Sequence, residues 1–323
     1  MKALVLTEPG TLEYKDQDSV QSLESGSVKI ELKAAALNHR DVWIKKGRYP
    51  GIKYPMILGS DGAGIDVQSS NEVIINPGLN WGDNPNYQSN QFEVLGLPSF
   101  GTFAQEVIVP ASSILPKPEH LSWTQAGALP LGGVTAWRAL MTKGKAKKGD
   151  KILISGIGGG VALFAFQYAV AIGAEVFVTS GSQQKIDRAI EMGAVGGVNY
   201  KDEDWEAQLK ELSKGIDLVI DSAGGTGTAA FVRLANPGGR IVMYGGTLGN
   251  MKDINPQKLF WKQISIMGST MGSPKEFEQM VEFVCEHNLV PVVDEVFTLA
   301  EGNKAIQKME AGTQFGKLVL EIN

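Results

Sequence analysis

Residues 151–169 read KILISGIGGGVALFAFQYA, and the period of the apolar residues changes inside them. KILIS is a short apolar run of the kind that forms a buried strand. Beyond the glycines, apolar residues fill 161–172 at helical spacing. A strand that turns through glycines into a helix presents backbone N–H groups at a helix N-terminus, where a diphosphate is held. Glycine permits positive φ in such a turn and leaves no Cβ in the ligand's way. The frame is Gly156, Gly159, Ala162 rather than GxGxxG with three glycines. Taken alone it also fits a glycine-rich structural turn. Its position, after a first strand and before the first helix of a series, favours a dinucleotide, with Gly156, Gly158, Gly159, Gly160 and Val161 as the diphosphate contacts.

Outward from this loop, apolar runs recur at 175–179, 196–199, 217–221, 240–244 and 264–268, with helical spacing at 185–192, 205–212 and 228–234 between them. Near-continuous apolar strands joined by helices predict an α/β fold with a parallel sheet covered on both faces. Six strands make a full doubly wound Rossmann sheet. The second run ends Val178, Thr179, Ser180, Gly181, Ser182, with no carboxylate before Asp187. An acidic residue here binds the ribose of NAD and repels a 2′-phosphate. Ser180, Ser182 and Lys185 would accept that phosphate instead. Two charge-assisted contacts of about 1.5–3 kcal/mol each favour NADPH by roughly two to four decades. The other reading of these residues is that they only cap the next helix.

Residues 1–110 carry strand-like runs at 3–6, 28–37, 72–75 and 105–109 among Gly, Pro and Asn clusters, which predicts an irregular β-rich domain. After 268 come a helix at 275–286, a strand at 295–298, a helix at 300–311 and a final strand, GKLVLEI. Six strands already complete the central sheet, so this tail is expected to rejoin the first domain.

Thirty Lys and Arg against 35 Asp and Glu leave a net charge of −5, which argues against nucleic acid as a partner. The lysines at 143–151 read as a solvated connector. One cysteine, Cys285, makes no internal disulfide and rules out a zinc site built on several thiolates. It falls near the face of Phe277, Met280, Val281 and Val284, and is expected in the core. KALVL directly after Met1 reads as a strand rather than an export signal, and the longest apolar stretch is too short to span a bilayer. A cytoplasmic protein with no membrane partner is expected.

With the loop placed, five other stretches acquire meaning: LNHRDVWIKKGRYP (37–50), PMILGSDGAG (55–64), AGALPLGGVTAWRAL (126–140), VNY (198–200) and FGKLVL (315–320). In this order and spacing the chain resembles the medium-chain dehydrogenase/reductase superfamily, and within it the zinc-independent quinone oxidoreductase-like members. The resemblance implies a GroES-like catalytic domain at 1–124 and 270–323 around a Rossmann domain at 125–269. It implies that Thr135 lies beside the nicotinamide, that Gly245, Gly246 and Thr247 meet the ring and its phosphate, and that Tyr200 approaches the adenosine phosphate. It also implies a homodimer through the edge strand at 264–268.

Zinc-dependent members carry Cys and His ligands where this chain has Asn38 and Ser60, and 76–100 lacks cysteine. No metal is therefore expected. Oxidising an alcohol needs a Lewis acid for the alkoxide, whereas a quinone or α,β-unsaturated carbonyl contains its own electron sink. One or two hydrogen-bond donors suffice for its reduction. Asn38 is a candidate donor, its alternative being a hydrogen bond that fixes its loop; Tyr49 is another, its alternative being an aromatic lid. Trp43 stands where many relatives have tyrosine, and an indole is no proton acid. The reading is an NADPH-dependent reductase of a small quinone or enone. An enoyl-thioester reductase of the same superfamily and a catalytically poor NADPH-binding sensor or structural protein are the alternatives.

Overall fold

The computed structural model describes residues 1–18 and 25–323. It divides into two compact units, Met1–Val134 with Gly272–Asn323, and Thr135–Met271.

In the second unit, six parallel strands form one sheet in the order Gly196–Asn199, Glu175–Ser180, Lys151–Ile154, Ile216–Asp221, Ala235–Met243, Ser265–Gly268. Numbered along this unit the order is 3-2-1-4-5-6, the Rossmann arrangement, whose ligand crevice opens where the winding reverses, between strands 1 and 4. Ile152, Leu153 and Ile154 are buried because helices cover both faces. The helix Gly160–Ala171 is apolar nearly all round and buries Ala162, Leu163, Phe164, Ala165, Phe166, Tyr168 and Ala169, as a helix packed within a core does. Leu153, Phe177, Val219, Phe231 and Ile241 belong to one continuous core. The last connection holds a short helix, Pro256–Trp261, capped by the Asn255 side chain.

The first unit is a GroES-like β-structure. Its main sheet runs Ile114–Pro116, Glu72–Ile75, Asp61–Asp66, Ser27–Ala36, Lys317–Glu321, Val293–Thr298, with Glu106–Pro110 also paired to Ser27–Ala36. The tail does rejoin this unit: Val319 pairs with Ala36 in an antiparallel ladder. Leu4, Leu6, Ile30, Phe103 and Leu318 lie in its core. The helix Trp123–Ala128 packs on the Ser27–Ala36 strand, so the unit continues to Val134, beyond the expected boundary at 124.

One expectation needs correction. Cys285 is exposed; Phe277, Met280, Val281 and Val284 are buried, and the cysteine, one residue further round the helix, falls off their stripe. The glycine-rich stretch DGAGID, which is not among the strand-like runs of the sequence, is the strand Asp61–Asp66. A Cβ at Gly64 would stand 2.2 Å from the Glu31 carbonyl oxygen, so glycine here serves close strand approach rather than a turn.

Candidate functional site

At the reversal point of the Rossmann sheet, a buried knot ties the ends of the two central strands together. Ser155 Oγ donates to Asp221 Oδ1 at 2.6 Å, while the amides of Ala223 and Gly224 donate to Oδ1 and Oδ2 of the same carboxylate at 3.2 and 2.9 Å. Ser222 N closes the ring on Ser155 Oγ at 3.3 Å. Asp221 is fully buried, and its partners are the hydroxyl and amides that a buried carboxylate requires.

Over this knot runs the glycine loop. Gly156 and Gly158 have φ of +64° and +119°, which glycine adopts without strain. Ile157 N donates to Thr179 O at 2.8 Å, holding the loop to the second strand. A Cβ at Gly159 would meet no heavy atom within 4 Å, and the same holds at Gly246. Gly160 and Val161 open the helix. Leu248 N donates to Ala223 O at 2.9 Å, so the segment with Gly245, Gly246 and Thr247 lies beside the knot. Thr135 is buried, its Oγ1 3.8 Å from Met271 Sδ.

The end of the second strand gathers the residues expected at a 2′-phosphate. Ser180 Oγ accepts from Ser182 N at 3.3 Å, and Tyr200 N donates to Ser180 O at 3.1 Å. Tyr200 Oη lies 2.8 Å from where a Cβ on Gly181 would be, and Lys185 Nζ lies 3.4 Å from the corresponding point on Gly158. Lys201, whose Cε is 2.8 Å from the Gly181 point, was not singled out from the sequence, although it directly follows VNY. An open glycine surface bordered by two ammonium groups fits a dinucleotide phosphate.

The second cluster lies in the GroES-like unit and is built from side chains. The ladder that pairs Val319 with Ala36 brings Lys317 under the start of the helix His39–Lys45. Its ammonium donates three times, to Leu37 O, Asn38 Oδ1 and Asp61 Oδ2, each at 2.8 Å, and so uses every proton it has. Asn38 Nδ2 donates to Asp61 Oδ2 at 2.9 Å, and Leu131 N to Asp61 Oδ1 at 2.6 Å. The structure thus sets the Asn38 amide in a buried hydrogen-bond network. Asp41 is also fully buried; its Oδ2 accepts from Asn38 N at 2.7 Å, and its Oδ1 has no hydrogen-bond partner. Burial pushes its carboxyl up to about 6, against the pull of Arg40.

Arg40, in the same NHRD segment, points its guanidinium at Ser60. Nη1 donates to Ser60 Oγ at 2.6 Å and to Leu95 O at 2.8 Å, Nη2 to Val94 O at 3.4 Å, and Ser60 Oγ donates in turn to Leu95 O at 2.7 Å. The Tyr49 ring is 5.8 Å from this guanidinium. Trp43 is turned toward Arg48 and Lys46 instead. Region 76–100 therefore enters the site through two backbone carbonyls. His39 is held below the usual imidazole range by desolvation and by Lys46.

These donors do not fit a zinc ion. Asn38 is bonded to the Lys317 ammonium and Ser60 to the Arg40 guanidinium, so both places carry a cation already. Among the described residues no group of three or more His, Cys, Asp or Glu is arranged to hold a metal.

Of this cluster, the sequence pointed to Asn38, Ser60 and Tyr49. It did not single out Arg40, Asp61 or Lys317, although all three lie in the quoted stretches. The available signal was Lys317 itself, a cation opening an otherwise apolar final strand. Nor was the Ser155–Asp221 pair anticipated.

A Rossmann sheet with a glycine loop, together with a GroES-like unit that closes with the C-terminal strand, defines a two-domain oxidoreductase. Residues 24–119 match the alcohol dehydrogenase GroES-like domain and residues 160–286 the zinc-binding dehydrogenase family. The zinc-type alcohol dehydrogenase-like protein YogA of Leptosphaeria maculans is 38% identical, over 91% of this chain and 90% of that protein. The quinone oxidoreductase of Mus musculus is 28% identical over 97% of this chain and 94% of its own length. The crystal structure of an NAD-dependent alcohol dehydrogenase superposes with a TM-score of 0.93 at 35% identity, over the whole of both chains. The chain belongs to the medium-chain dehydrogenase/reductase superfamily. Among the described residues no helix is long and apolar enough to cross a membrane.

Proposed function

We propose that this chain is an NADPH-dependent reductase of quinones or α,β-unsaturated carbonyls that works without zinc, as a quinone oxidoreductase-like member of its superfamily. One observation carries the reading: Asn38 and Ser60 are occupied by Lys317 and Arg40, so the site offers fixed positive charge and no metal ligands. A bound reduced nicotinamide supplies a hydride. Gly156, Gly158, Gly159, Gly160 and Val161 hold the diphosphate. Ser180, Ser182, Lys185 and Tyr200 bind the 2′-phosphate, with Lys201 beside them. Thr135, Gly245, Gly246 and Thr247 border the nicotinamide end. Tyr49 is the candidate donor to the acceptor's oxygen. Asn38 positions the loop, since Asp61 and Lys317 engage its amide.

A carbonyl that becomes an enolate or quinolate spreads its charge over a conjugated system, and hydrogen-bond donors stabilise that anion where an isolated alkoxide needs a Lewis acid. Pairing of two copies through the edge strand Ser265–Gly268 belongs to the same proposal, supported by Trp261, 82% exposed just before it. A cytoplasmic location does too.

The test is steady-state turnover with quinone, enone and acyl-thioester panels, NADPH against NADH, with and without a chelator, alongside metal analysis. The expected result is quinone or enone reduction, indifferent to chelation, preferring NADPH by about a hundredfold, with Lys185→Ala losing most of that preference. Loss of activity on chelation, or one zinc per chain, overturns the metal-free reading. Faster turnover with NADH overturns the phosphate assignment. Turnover of acyl thioesters alone makes the chain an enoyl-thioester reductase, and tight NADPH binding with no turnover makes it a sensor.

A further inference from the structure

We infer that Arg40 is the electrophile of this site: its guanidinium receives the negative charge that develops on the acceptor's oxygen. The inference deepens the reductase reading and rests on it for the reaction, though not for the anion site itself. Arg40 has five N–H groups. Three are used, on Ser60, Leu95 and Val94, and the other two have no partner among the described residues. The side chain is only partly buried, and its hydrogen bonds, all to neutral oxygens, fix the plane of the guanidinium; the neighbouring Asp41 carboxyl acts on it through space and takes none of its N–H groups. A cation oriented in this way, with two N–H groups left over, is preorganised for an anion.

The neighbouring charges point the same way. Lys317 spends its three protons on Leu37, Asn38 and Asp61, so it has none for a ligand. Asp61 is paired with that ammonium, and Asp41 gives an oxygen to the Asn38 amide. Arg40 is left as the cation of the cluster with donors to offer. It sits on Ser60, where zinc-dependent members of the family place a metal ligand, and so puts a positive charge there by other means.

The step balances without a metal. A hydride, carrying two electrons from the reduced nicotinamide, forms the new C–H bond at the β-carbon of the conjugated carbonyl. The C=C pair moves toward the carbonyl, whose oxygen becomes the enolate O⁻, the charge assigned to the Arg40 guanidinium. Water then protonates the α-carbon, and the nicotinamide is left oxidised. A quinone takes the same two electrons and gives a quinol monoanion.

The experiment uses 4-nitrophenol, a planar phenol shaped like a quinol whose ionisation is visible in its absorbance, with the native protein and with Arg40→Met and Arg40→Lys. At a pH below the dye's solution pKa, the native protein is expected to bind it as the phenolate, Arg40→Lys to retain part of the shift, and Arg40→Met to lose it. In turnover, Arg40→Met is expected to lower kcat by about 10²–10³-fold with the KM for NADPH changed less than about threefold, and added methylguanidinium to restore part of kcat. A folded Arg40→Met that keeps kcat and still ionises the dye overturns the inference. So does a native protein that does not ionise the dye, a measurement that stands even if the variants fail to fold. Dye ionised through Arg40 in a protein that reduces no acceptor upholds the anion site and removes the reductase reading instead.

Discussion

The two units make their sites from different materials. In the Rossmann unit the candidate cofactor surface is main chain: glycines at 156, 158, 159, 245 and 246, shaped by positive φ at Gly156 and Gly158 and by one buried carboxylate, Asp221, that gathers amides. In the GroES-like unit the candidate chemistry is side chain, with Asn38, Arg40, Asp41, Ser60, Asp61 and Lys317 meeting from three separate stretches. A surface made of backbone tolerates the loss of side chains and suffers from added Cβ atoms. One made of buried charges behaves the opposite way.

The sharpest way to break this contrast is at Lys317. Replacing it with methionine keeps most of the volume and removes the ammonium from three acceptors. Asp61, fully buried, then keeps the Asn38 and Leu131 donors but loses its counter-charge. Breaking a buried pair from one side costs about 3–5 kcal/mol, so Lys317→Met is expected to lower stability by that amount in denaturant unfolding. Asp61→Asn in the same background is expected to recover part of it. A loss below about 1 kcal/mol would mean that the cluster is not held by its ion pair.

This division also explains what was legible in the sequence. A βαβ unit with its loop is local: strand 151–154, glycines and helix 160–171 are contiguous, and the period change at Gly156 is visible in one dimension. The same locality made Lys185 readable from its place after the second strand. The Lys317–Asn38–Asp61 cluster joins residues up to 279 positions apart, and no spacing rule connects a final strand to an NHRD segment. The completed strand count of the central sheet returned that strand to the first unit, but it could not place Lys317 beside Asn38. Asp61–Asp66 was missed because its glycines carry the composition of a loop, whereas their function is to let two strands approach.

A second test sharpens the side-chain half of the contrast. The Asp41 carboxyl is raised from 3.8 to about 6 by burial. The folded state therefore binds its proton more tightly than the unfolded chain does. The stability this contributes is complete below about pH 4 and is lost as pH rises through about 6, a span worth roughly 3 kcal/mol. Asp41→Asn keeps an oxygen for the Asn38 amide but does not titrate. The stability gap between the two proteins is expected to shift by about that amount in favour of the variant between pH 4 and 7, in urea unfolding series. Parallel curves would show that Asp41 is not ionising in a dry site.

The smallest expected effect tests the backbone half, with two adjacent glycines as each other's control. A Cβ on Gly245 would stand 2.4 Å from the Ser222 carbonyl oxygen, and a Cβ on Gly246 would meet nothing within 4 Å. Neither residue has positive φ, so sterics alone separate them. In Gly245→Ala the strand end must move away from Ser222, a strain of about 1–3 kcal/mol, which thermal unfolding detects without any ligand. In Gly246→Ala no atom has to move, and the restricted unfolded chain leaves stability unchanged or higher by about 0.5 kcal/mol. If the open space at Gly246 belongs to the dinucleotide, the same methyl intrudes on it, and NADPH binding is expected to weaken by about tenfold while the melting temperature of the free protein holds. Equal nucleotide affinity for Gly246→Ala and the native protein would remove Gly246 from the cofactor surface. Equal stability for the two variants would remove the close approach of Gly245 to Ser222 that shapes this edge of the crevice.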